Sequence, residues 1–497
     1  MKAIFILFDS LNRRYLPPYD SDCGVIAPNF QRLAEKTCQM NNAYVGSMPC
    51  IPARRELHTG RYNFLHREWG PIEPFDDSAI RILKKKGVYT HLVSDHLHYW
   101  EDGGANYHTQ YNSWEIVRGQ EGDHWKAEVK DPIIPEVVRI PQKHSGSGFT
   151  GLWRYDWINR NYIKKTEEFP QYQVFEKSME FLDKNHDEEN WLLHIETFDP
   201  HEPFYAPQEF LDLYPDEYAG KHYDWPRGQR IETDDEVNHV RRQYKALVSF
   251  CDRQLGRVLD FMDEKNMWDD TLLVVTTDHG ILLGEHGWWS KNLMPYFNEI
   301  ANIPFFMHHP SFKVGGEKRE SLVQLIDIAP TLLTYFGTKP TEHMLGKDLS
   351  PVLRNDDKIR QYALYGAFSA HVNITDGTFT YMRGPSEETK NLINNYTLMP
   401  VHMNDLFSME ELKRSKLVEG FAFTKGCNVL QVPSFDKYDI AHFGNSFYDV
   451  VDDPSQQKPL IDHPEQERFI SAMVELMKEN EAPLEQYQRL ELTEYLK

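Results

Sequence analysis

Short apolar runs alternate with longer amphipathic stretches along most of the chain. Four of the apolar runs span residues 3–8, 90–94, 191–198 and 271–277, and each has the length of a buried strand. Between the runs lie stretches with the helical period of 3.6 residues, of which residues 235–265 form the longest. Strands that alternate with helices predict an α/β fold, in which a large, mostly parallel sheet is sandwiched by helices.

Each of these four apolar runs is followed by an acidic residue, and three of them are followed by histidine as well. The residues concerned are Asp9, Asp95 with His96 and His98, Asp199 with His201, and Asp278 with His279. Because parallel strands end at the same edge of a sheet, these side chains are expected to meet in the crevice beyond the carboxyl ends of the strands. The sequence therefore predicts one site built from four distant segments.

The pattern changes after about residue 354, where short strands with tight turns replace the long helices. Three strands and a terminal helix are predicted there, at residues 361–365, 370–375, 379–383 and 464–478. We therefore predict a large α/β domain over residues 1–355 and a smaller C-terminal α+β domain over residues 356–497.

Length, charge and cysteine content narrow the class of protein. A chain of 497 residues, of which 40% are hydrophobic, can bury a large core. Its net charge of −22 argues against a nucleic-acid partner, and no apolar run is long enough to span a membrane. The five widely spaced cysteines do not form a disulfide framework, and the start of the chain lacks a signal sequence. We therefore expect a cytoplasmic protein.

The most specific segment is C-x-P-x-R, which begins at Cys50 and is followed by L-x-T-G-R from Leu57. Pro52 suits the first position of a helix, where a missing N–H costs nothing. Cys50 is then expected just ahead of the helix, facing its free backbone N–H groups. Arg54 lies one turn later on the same face, and Gly60 is expected to end the helix. This arrangement suits a tetrahedral anion such as sulfate or phosphate.

These motifs resemble the signature of the type I sulfatases, a family of the alkaline phosphatase-like superfamily. Further matching segments lie at residues 27–34, 199–204, 278–287, 288–291, 327–333 and 448–454, so the resemblance covers nearly the whole chain. It implies a sulfuric ester hydrolase. In this family a maturation enzyme oxidises the cysteine to formylglycine, whose hydrated aldehyde is the nucleophile, and the matching residue here is Cys50.

The resemblance also implies a divalent metal held by Asp9, Cys50, Asp278 and His279. Carboxylate oxygens together with an imidazole can bind a divalent cation, and the resemblance implies Ca²⁺, with Mg²⁺ or Mn²⁺ as the alternatives. The family usually has two consecutive acids after the first strand, whereas the second position here is Ser10. Either the site is less negative than usual, or Asn12 or water fills the gap.

The remaining roles also follow from the resemblance. Arg54 and Lys291 are expected to neutralise the sulfate oxygens, and His201 is expected to protonate the leaving oxygen, work that suits a pKa near neutrality. Many family members carry a G-K-W-H segment where this chain has S-D-H-L-H-Y-W, without the lysine. His96 or His98 takes over the contact with the nucleophile or the sulfate, contacts the sugar, or has a structural role; these alternatives stay open.

The function predicted is release of inorganic sulfate from a small sulfated sugar or an aryl sulfate. The single acid after the first strand keeps open a phosphonate monoester or phosphodiester hydrolase of the same superfamily. A third alternative is an inactive protein that binds sulfated glycans with Cys50 unmodified. Residues 100–150 and 202–232, rich in Gly, Pro, His and aromatic residues, are predicted to be surface loops that shape substrate choice.

Overall fold

The computed structural model describes residues 1–139 and 151–496. An eight-stranded sheet forms its centre, in the order Lys318–Arg319, Cys38–Met40, Phe305–His308, Thr271–Thr277, Lys2–Phe8, Trp191–Thr197, Tyr89–Ser94 and Ser113–Ile116. Phe305–His308 runs antiparallel to both of its neighbours, and the other pairs of strands are parallel. The predicted sheet is confirmed, and its four predicted strands agree with the observed bounds to within one residue.

Helices cover both faces of this sheet. Side chains of Lys2–Phe8 alternate between two buried clusters, because successive residues of a strand point to opposite faces. One face is covered by the helices Cys50–Thr59, Ala79–Lys85 and Ile328–Tyr335. The other face is covered by the helices Pro28–Lys36, Pro170–Asn185 and Asp234–Glu264. The sheet is therefore sandwiched by helices, as the alternation of strands and helices predicts.

The helix Asp234–Glu264 matches the prediction over residues 235–265. It begins with a capping box, in which Thr233 accepts a hydrogen bond from the N–H of Glu236 and the Glu236 carboxylate accepts one from the N–H of Thr233. Such a cap stabilises a helix by about 1 kcal/mol. Three acidic residues in the first turn, among them Asp234 and Asp235, favour the same start through the helix dipole.

The C-terminal part is built on a second sheet of five strands. Its order is Ser446–Asp449, Phe379–Arg383, Val372–Thr375, Ala363–Ala367 and Ser47–Met48. The helix Gln466–Glu479 packs on this sheet. The predicted strand at 361–365 was placed two residues too early, because the pairing with the next strand begins at Ala363. Ser47–Met48 comes from the first half of the chain, and the boundary at residues 355 and 356 stays a prediction.

Smaller elements complete the described chain. The short strands are Ala43–Tyr44, Gly228–Gln229, Leu282–Leu283, Trp288–Ser290, Val323–Gln324, Asn394–Thr397, Lys416–Val418 and Val429–Pro433. The further helices are Leu152–Asn159, Gln208–Leu211, Asn298–Ala301, Ser350–Asn355, Met409–Arg414 and Leu484–Arg489. In the part of the chain that the structure describes, no helix has both the length and the apolar character needed to cross a bilayer.

The two predicted loop segments are mostly irregular in the structure. The prediction of a loop over residues 100–150 was wrong at Ser113–Ile116, which forms the edge strand of the large sheet because it pairs with Tyr89–Ser94. Residues 140–150 of that segment lie outside the described residues. Residues 202–232 contain the short helix Gln208–Leu211 and the strand Gly228–Gln229.

Candidate active site

Side chains from distant segments meet at the carboxyl ends of the central strands. Asp9 follows the first strand, and Asp278 and His279 follow its parallel neighbour in the sheet. The possible ligand atoms of these three residues and of Cys50 all lie within 4.8 Å of one another, and all four residues are buried. The structure thus brings together the four residues that the sequence assigns to a metal.

Cys50 is the first residue of its helix. Pro49 has extended backbone angles, and its carbonyl accepts the first helical hydrogen bond, 3.1 Å from the N atom of Ala53. The sequence-based placement of Pro52 at the first position was therefore wrong by two residues, because the helix starts directly after Pro49. Gly60 ends the helix with φ 61°, a left-handed conformation that glycine adopts without strain.

The thiol of Cys50 lies against His279. Its Sγ is 3.5 Å from His279 Nε2, and the Cys50 backbone N is 3.3 Å from the same nitrogen. Burial raises the pKa of the Cys50 thiol well above its usual value, and the nearby Asp9 raises it further. An unmodified Cys50 is therefore a protonated thiol at neutral pH, which is a poor nucleophile.

Arg54 connects three buried carboxylates. Its Nη2 is 2.9 Å from Asp9 Oδ2, its Nε is 2.6 Å from Glu196 Oε1, and its Nη1 pairs with Asp278. Arg54 is 1% exposed, and the three acids are fully buried. The sequence analysis missed Glu196, although a charged residue inside the apolar run at 191–198 is a signal that could have revealed it.

Ser10 occupies the position where the family usually has a second acid. Its Oγ donates a hydrogen bond to Asp9 Oδ1 at 2.8 Å and accepts one from Lys291 Nζ at 3.0 Å. Asn12 does not fill the gap, because its amide donates to the carbonyl of Ile281 at 2.9 Å and its Oδ1 caps a helical turn. Ser10 therefore links the group around Asp9 to Lys291.

Lys291 is buried beside a second acid that the sequence analysis missed. Its ammonium lies 3.4 Å from Glu202 Oε2, and the residue is 2% exposed. Burial lowers the pKa of Lys291, but the charges of Glu202 and other acids more than offset this effect, so the net pKa is raised. Lys291 is therefore a permanent cation next to Ser10.

His201 is packed between an aromatic ring and Glu202. Its ring lies 4.1 Å from the ring of Phe198, and its Nδ1 contacts the backbone carbonyl of Glu202. Burial lowers the pKa of His201 well below its usual value, although Glu202 opposes the effect. His201 is therefore neutral at neutral pH in this state, and a proton on Nδ1 leaves Nε2 as an acceptor.

His96 and His98 have different surroundings although their rings lie 5.0 Å apart. His96 is fully buried with its Nε2 3.6 Å from Asp9 Oδ2, and neither of its ring nitrogens has a hydrogen-bond partner in the described chain. His98 instead binds Glu101 through Nδ1 and packs edge-on against Trp69. His96 therefore belongs to the group around Asp9, and His98 belongs to its outer wall.

The sulfatase family model matches residues 2–338 of this chain. A second model, described as the C-terminal part of N-sulphoglucosamine sulphohydrolase, matches residues 284–405. Similar proteins include a choline-sulfatase of Rhizobium meliloti, 26% identical over 76% of this chain and 77% of its own length. An N-acetylglucosamine-6-O-sulfatase of Bacteroides thetaiotaomicron is 21% identical over 71% of each chain.

Solved structures have the same fold over nearly the whole chain. One, determined in complex with its substrate D-glucosamine-2-N,6-O-disulfate, has a TM-score of 0.65 at 16% identity and covers 97% of this chain and 98% of its own. A phosphonate monoester hydrolase of Agrobacterium radiobacter has a TM-score of 0.64 at 16% identity, covering 96% of this chain and 95% of its own. The α/β fold with its smaller C-terminal part is thus confirmed.

Proposed function

This chain belongs to the sulfatase family and is a sulfuric ester hydrolase, and we propose that it releases inorganic sulfate from a sulfated sugar or an aryl sulfate through a formylglycine derived from Cys50. The observation that carries the proposal is the group formed by Cys50, Asp9, Asp278 and His279 at the carboxyl ends of the strands, where their ligand atoms lie within 4.8 Å.

The same four residues fit a divalent cation. Asp9 Oδ2 is buried and lies 2.9 Å from Arg54 Nη2 and 3.6 Å from His96 Nε2, but within the described residues it has no contact with the geometry of a hydrogen bond. Carboxylates with an imidazole can bind a divalent cation, and from the family we propose Ca²⁺ first, with Mg²⁺ and Mn²⁺ as alternatives. A bound cation would supply positive charge for the nucleophile and for the sulfate oxygens.

The protonation state of the Cys50 thiol supports the proposal that Cys50 is converted to formylglycine. Because burial keeps its thiol protonated, the cysteine itself offers no anionic nucleophile. A hydrated aldehyde at the same place would supply hydroxyl groups instead. Cys50 is only 3% exposed, so a maturation enzyme has to act before the chain has folded around it.

We propose that Arg54 and Lys291 neutralise the negative charge of the sulfate oxygens. Both are buried, at 1% and 2% exposure, so the field of each is weakly screened. Such preorganised charge is usually the largest catalytic contribution. Arg54 also orients Asp9, since the two are paired at 2.9 Å.

We propose that His201 protonates the leaving oxygen. Its imidazole is neutral in this state because of burial, and a negatively charged sulfate ester beside it would raise its pKa and favour the protonated form. Protonated His201 can then donate that proton to the departing alkoxide. His96, beside Asp9, is the better placed of the two remaining histidines to contact the nucleophile, whereas His98 would face the substrate.

A phosphonate monoester or phosphodiester hydrolase is the second candidate. It is favoured by Ser10 in place of a second acid and by the fold shared with the phosphonate monoester hydrolase. The sulfated sugar is favoured by the relatives whose names specify sulfated glucosamine. Rates on 4-nitrophenyl sulfate and on 4-nitrophenyl phosphonate esters, measured side by side, distinguish the two. We expect sulfate to be released faster.

The proposal is tested by mass spectrometry of the tryptic peptide 37–54, from protein made in a host with formylglycine-generating machinery. We expect the mass of an aldehyde at position 50 and loss of turnover in Cys50→Ala with the fold retained. An intact thiol in active protein would refute the formylglycine. An intact thiol with no turnover but with retained affinity for sulfated glycans would favour the inactive binding protein.

A further inference from the structure

A tight loop, residues 118–123, follows the edge strand Ser113–Ile116 and contacts the acids that follow two strands at the active site. Arg118 closes it by pairing with Asp123 at 2.7 and 2.6 Å. The side-chain amide of Gln120 donates to Asp95 Oδ2 at 2.9 Å and contacts Asp199 Oδ1 at 3.3 Å. Since these two acids precede His96 and His201 respectively, the loop is fixed to both histidine-bearing segments. A side chain next to Gln120 is therefore held at a defined position.

That side chain belongs to Glu121, whose backbone conformation and burial both cost free energy. It is 8% exposed, and its φ of 45° is a strained, left-handed conformation for a residue other than glycine. Among residues 1–139 and 151–496, no hydrogen bond and no ion pair involves its carboxylate. The carboxylate oxygens keep some contact with solvent, so an incoming ligand can reach them, and strained residues of this kind cluster at functional sites.

The carboxylate of Glu121 belongs electrostatically to the active site. The charges that act on it are those of Glu202, Lys291, Glu101 and Arg227. Lys291 is the cation assigned to the sulfate, and Glu101 binds His98 at the outer wall. Burial raises the pKa of Glu121 to about 8, and Glu202 contributes to the increase. The Glu121 carboxyl of the free protein is therefore mostly protonated at pH 7, and an incoming hydrogen-bond donor, above all an ammonium group, would favour its ionised form.

We infer that Glu121 is a specificity-determining residue, which accepts a hydrogen bond from a hydroxyl or ammonium group on the carbon skeleton of the sulfate ester. This inference rests on the proposed function, since it places the sulfate at Lys291. The Glu121 carboxyl accepts a hydrogen bond through its carbonyl oxygen when protonated and through either oxygen when ionised, so Glu121 orients the substrate with its sulfate toward Lys291 and a polar carbon substituent toward the loop.

Three substrates distinguish a role of Glu121 in specificity from a structural role and from a role as proton donor. 4-Nitrophenyl sulfate has a good leaving group and no donor, butyl sulfate has a poor leaving group and no donor, and a monosaccharide sulfate has a poor leaving group with donors. The sugar is the glucose or glucosamine monosulfate that the wild type hydrolyses fastest. The readout is kcat/KM on each substrate for the wild type, Glu121→Leu and Glu121→Gln, with the exposed Glu136→Gln as the matched control.

We expect Glu121→Leu to lower kcat/KM on the sugar by roughly 2- to 150-fold relative to butyl sulfate, a range that extends from a hydrogen bond to the neutral acid to one to the ionised carboxylate. Glu121→Gln, which keeps one acceptor oxygen, should lose less. Equal losses on all three substrates would indicate a structural role, and equal losses on the sugar and butyl sulfate alone would indicate a proton donor; either result overturns the inference.

The comparison also separates failure of the inference from failure of the proposed function. If the wild type hydrolyses aryl and alkyl sulfates but no monosaccharide sulfate, the inference fails while sulfate ester hydrolysis stands. If the wild type hydrolyses phosphonate esters and no sulfate ester, the proposed function fails, and the sugar-recognition role fails with it. Circular dichroism that is unchanged and unfolding midpoints that are not lowered in either variant exclude misfolding as the cause of a loss.

Discussion

Replacement of Arg54 by alanine should destabilise the protein far more than loss of a surface arginine. The variant leaves Asp9, Asp278 and Glu196 buried without their shared cation. Removing one member of a buried ion pair costs about 3–5 kcal/mol, and three acids depend on this one guanidinium. Since whole domains are stable by only about 5–15 kcal/mol, we expect a loss of about 5 kcal/mol in metal-free buffer.

Urea unfolding followed by tryptophan fluorescence measures the effect, and Arg32→Ala is the matched control. Arg32 also binds two carboxylates, Asp260 and Asp263, at 2.6 and 2.7 Å, but it does so at the surface. Exposed pairs contribute about 0–1 kcal/mol. If Arg54→Ala loses no more stability than Arg32→Ala, the buried cation does not hold the three acids together.

A divalent cation and a second substitution refine the Arg54 experiment. Calcium at 100 times its dissociation constant stabilises by about 2.7 kcal/mol, and it would compensate Asp9 and Asp278 but not Glu196, which lies outside the metal group. We therefore expect calcium to recover only part of the loss. Glu196→Gln in the Arg54→Ala background should recover a further part, and full recovery by calcium alone would contradict this division of charge.

Three further predictions concern proton donation by His201, the requirement for a metal, and the charge of His402 in the C-terminal part. His201→Ala should lower kcat on butyl sulfate by about 10²–10⁴-fold, the range for acid catalysis, and much less on 4-nitrophenyl sulfate; equal losses would remove His201 from the acid role. Dialysis against EDTA should abolish activity and lower the unfolding midpoint, and adding back Ca²⁺, Mg²⁺ or Mn²⁺ singly identifies the metal; full activity after chelation would exclude a required cation. His402 binds Glu68 and Glu411; burial lowers its pKa, but the bond to Glu68 more than offsets this, so the net pKa is raised. Its contribution to stability should be complete below about pH 6.5 and disappear as pH rises through the folded-state pKa, and unfolding free energies of His402→Gln should lack that slope.

The sequence was sufficient to predict four of the eight strands of the large sheet, because these four are continuous apolar runs that are each followed by an acid. The other four strands are shorter and give no such run. Asp9 and Asp278 reach the group around Cys50, while Asp95 and Asp199 are held by Gln120 behind the histidines. Hydrophobic periodicity alone does not reveal this second arrangement. It depends on a loop whose side-chain amide contacts the acids that follow two neighbouring strands of the sheet.

Other features depend on contacts that no local pattern encodes. The helix at Cys50 starts two residues earlier than Pro52 suggests, because Pro49 provides the capping carbonyl. The strand Ser47–Met48 is too short to be recognised from its composition, and it forms only by pairing with Ala363–Ala367. Glu202 follows a predicted functional histidine, but its pairing with Lys291 required the three-dimensional structure.

The pairing of Ser47–Met48 with Ala363–Ala367 sets an order of events during synthesis. The partner strand leaves the ribosome about 300 residues later, which at about 5–20 residues per second corresponds to roughly 15–60 s. During that interval the strand Ser47–Met48, directly ahead of Cys50, lacks its partner, so this part of the fold around Cys50 is incomplete. If a maturation enzyme oxidises Cys50 as proposed, slower translation of the intervening segment should lengthen this interval and raise the share of chains that carry the aldehyde.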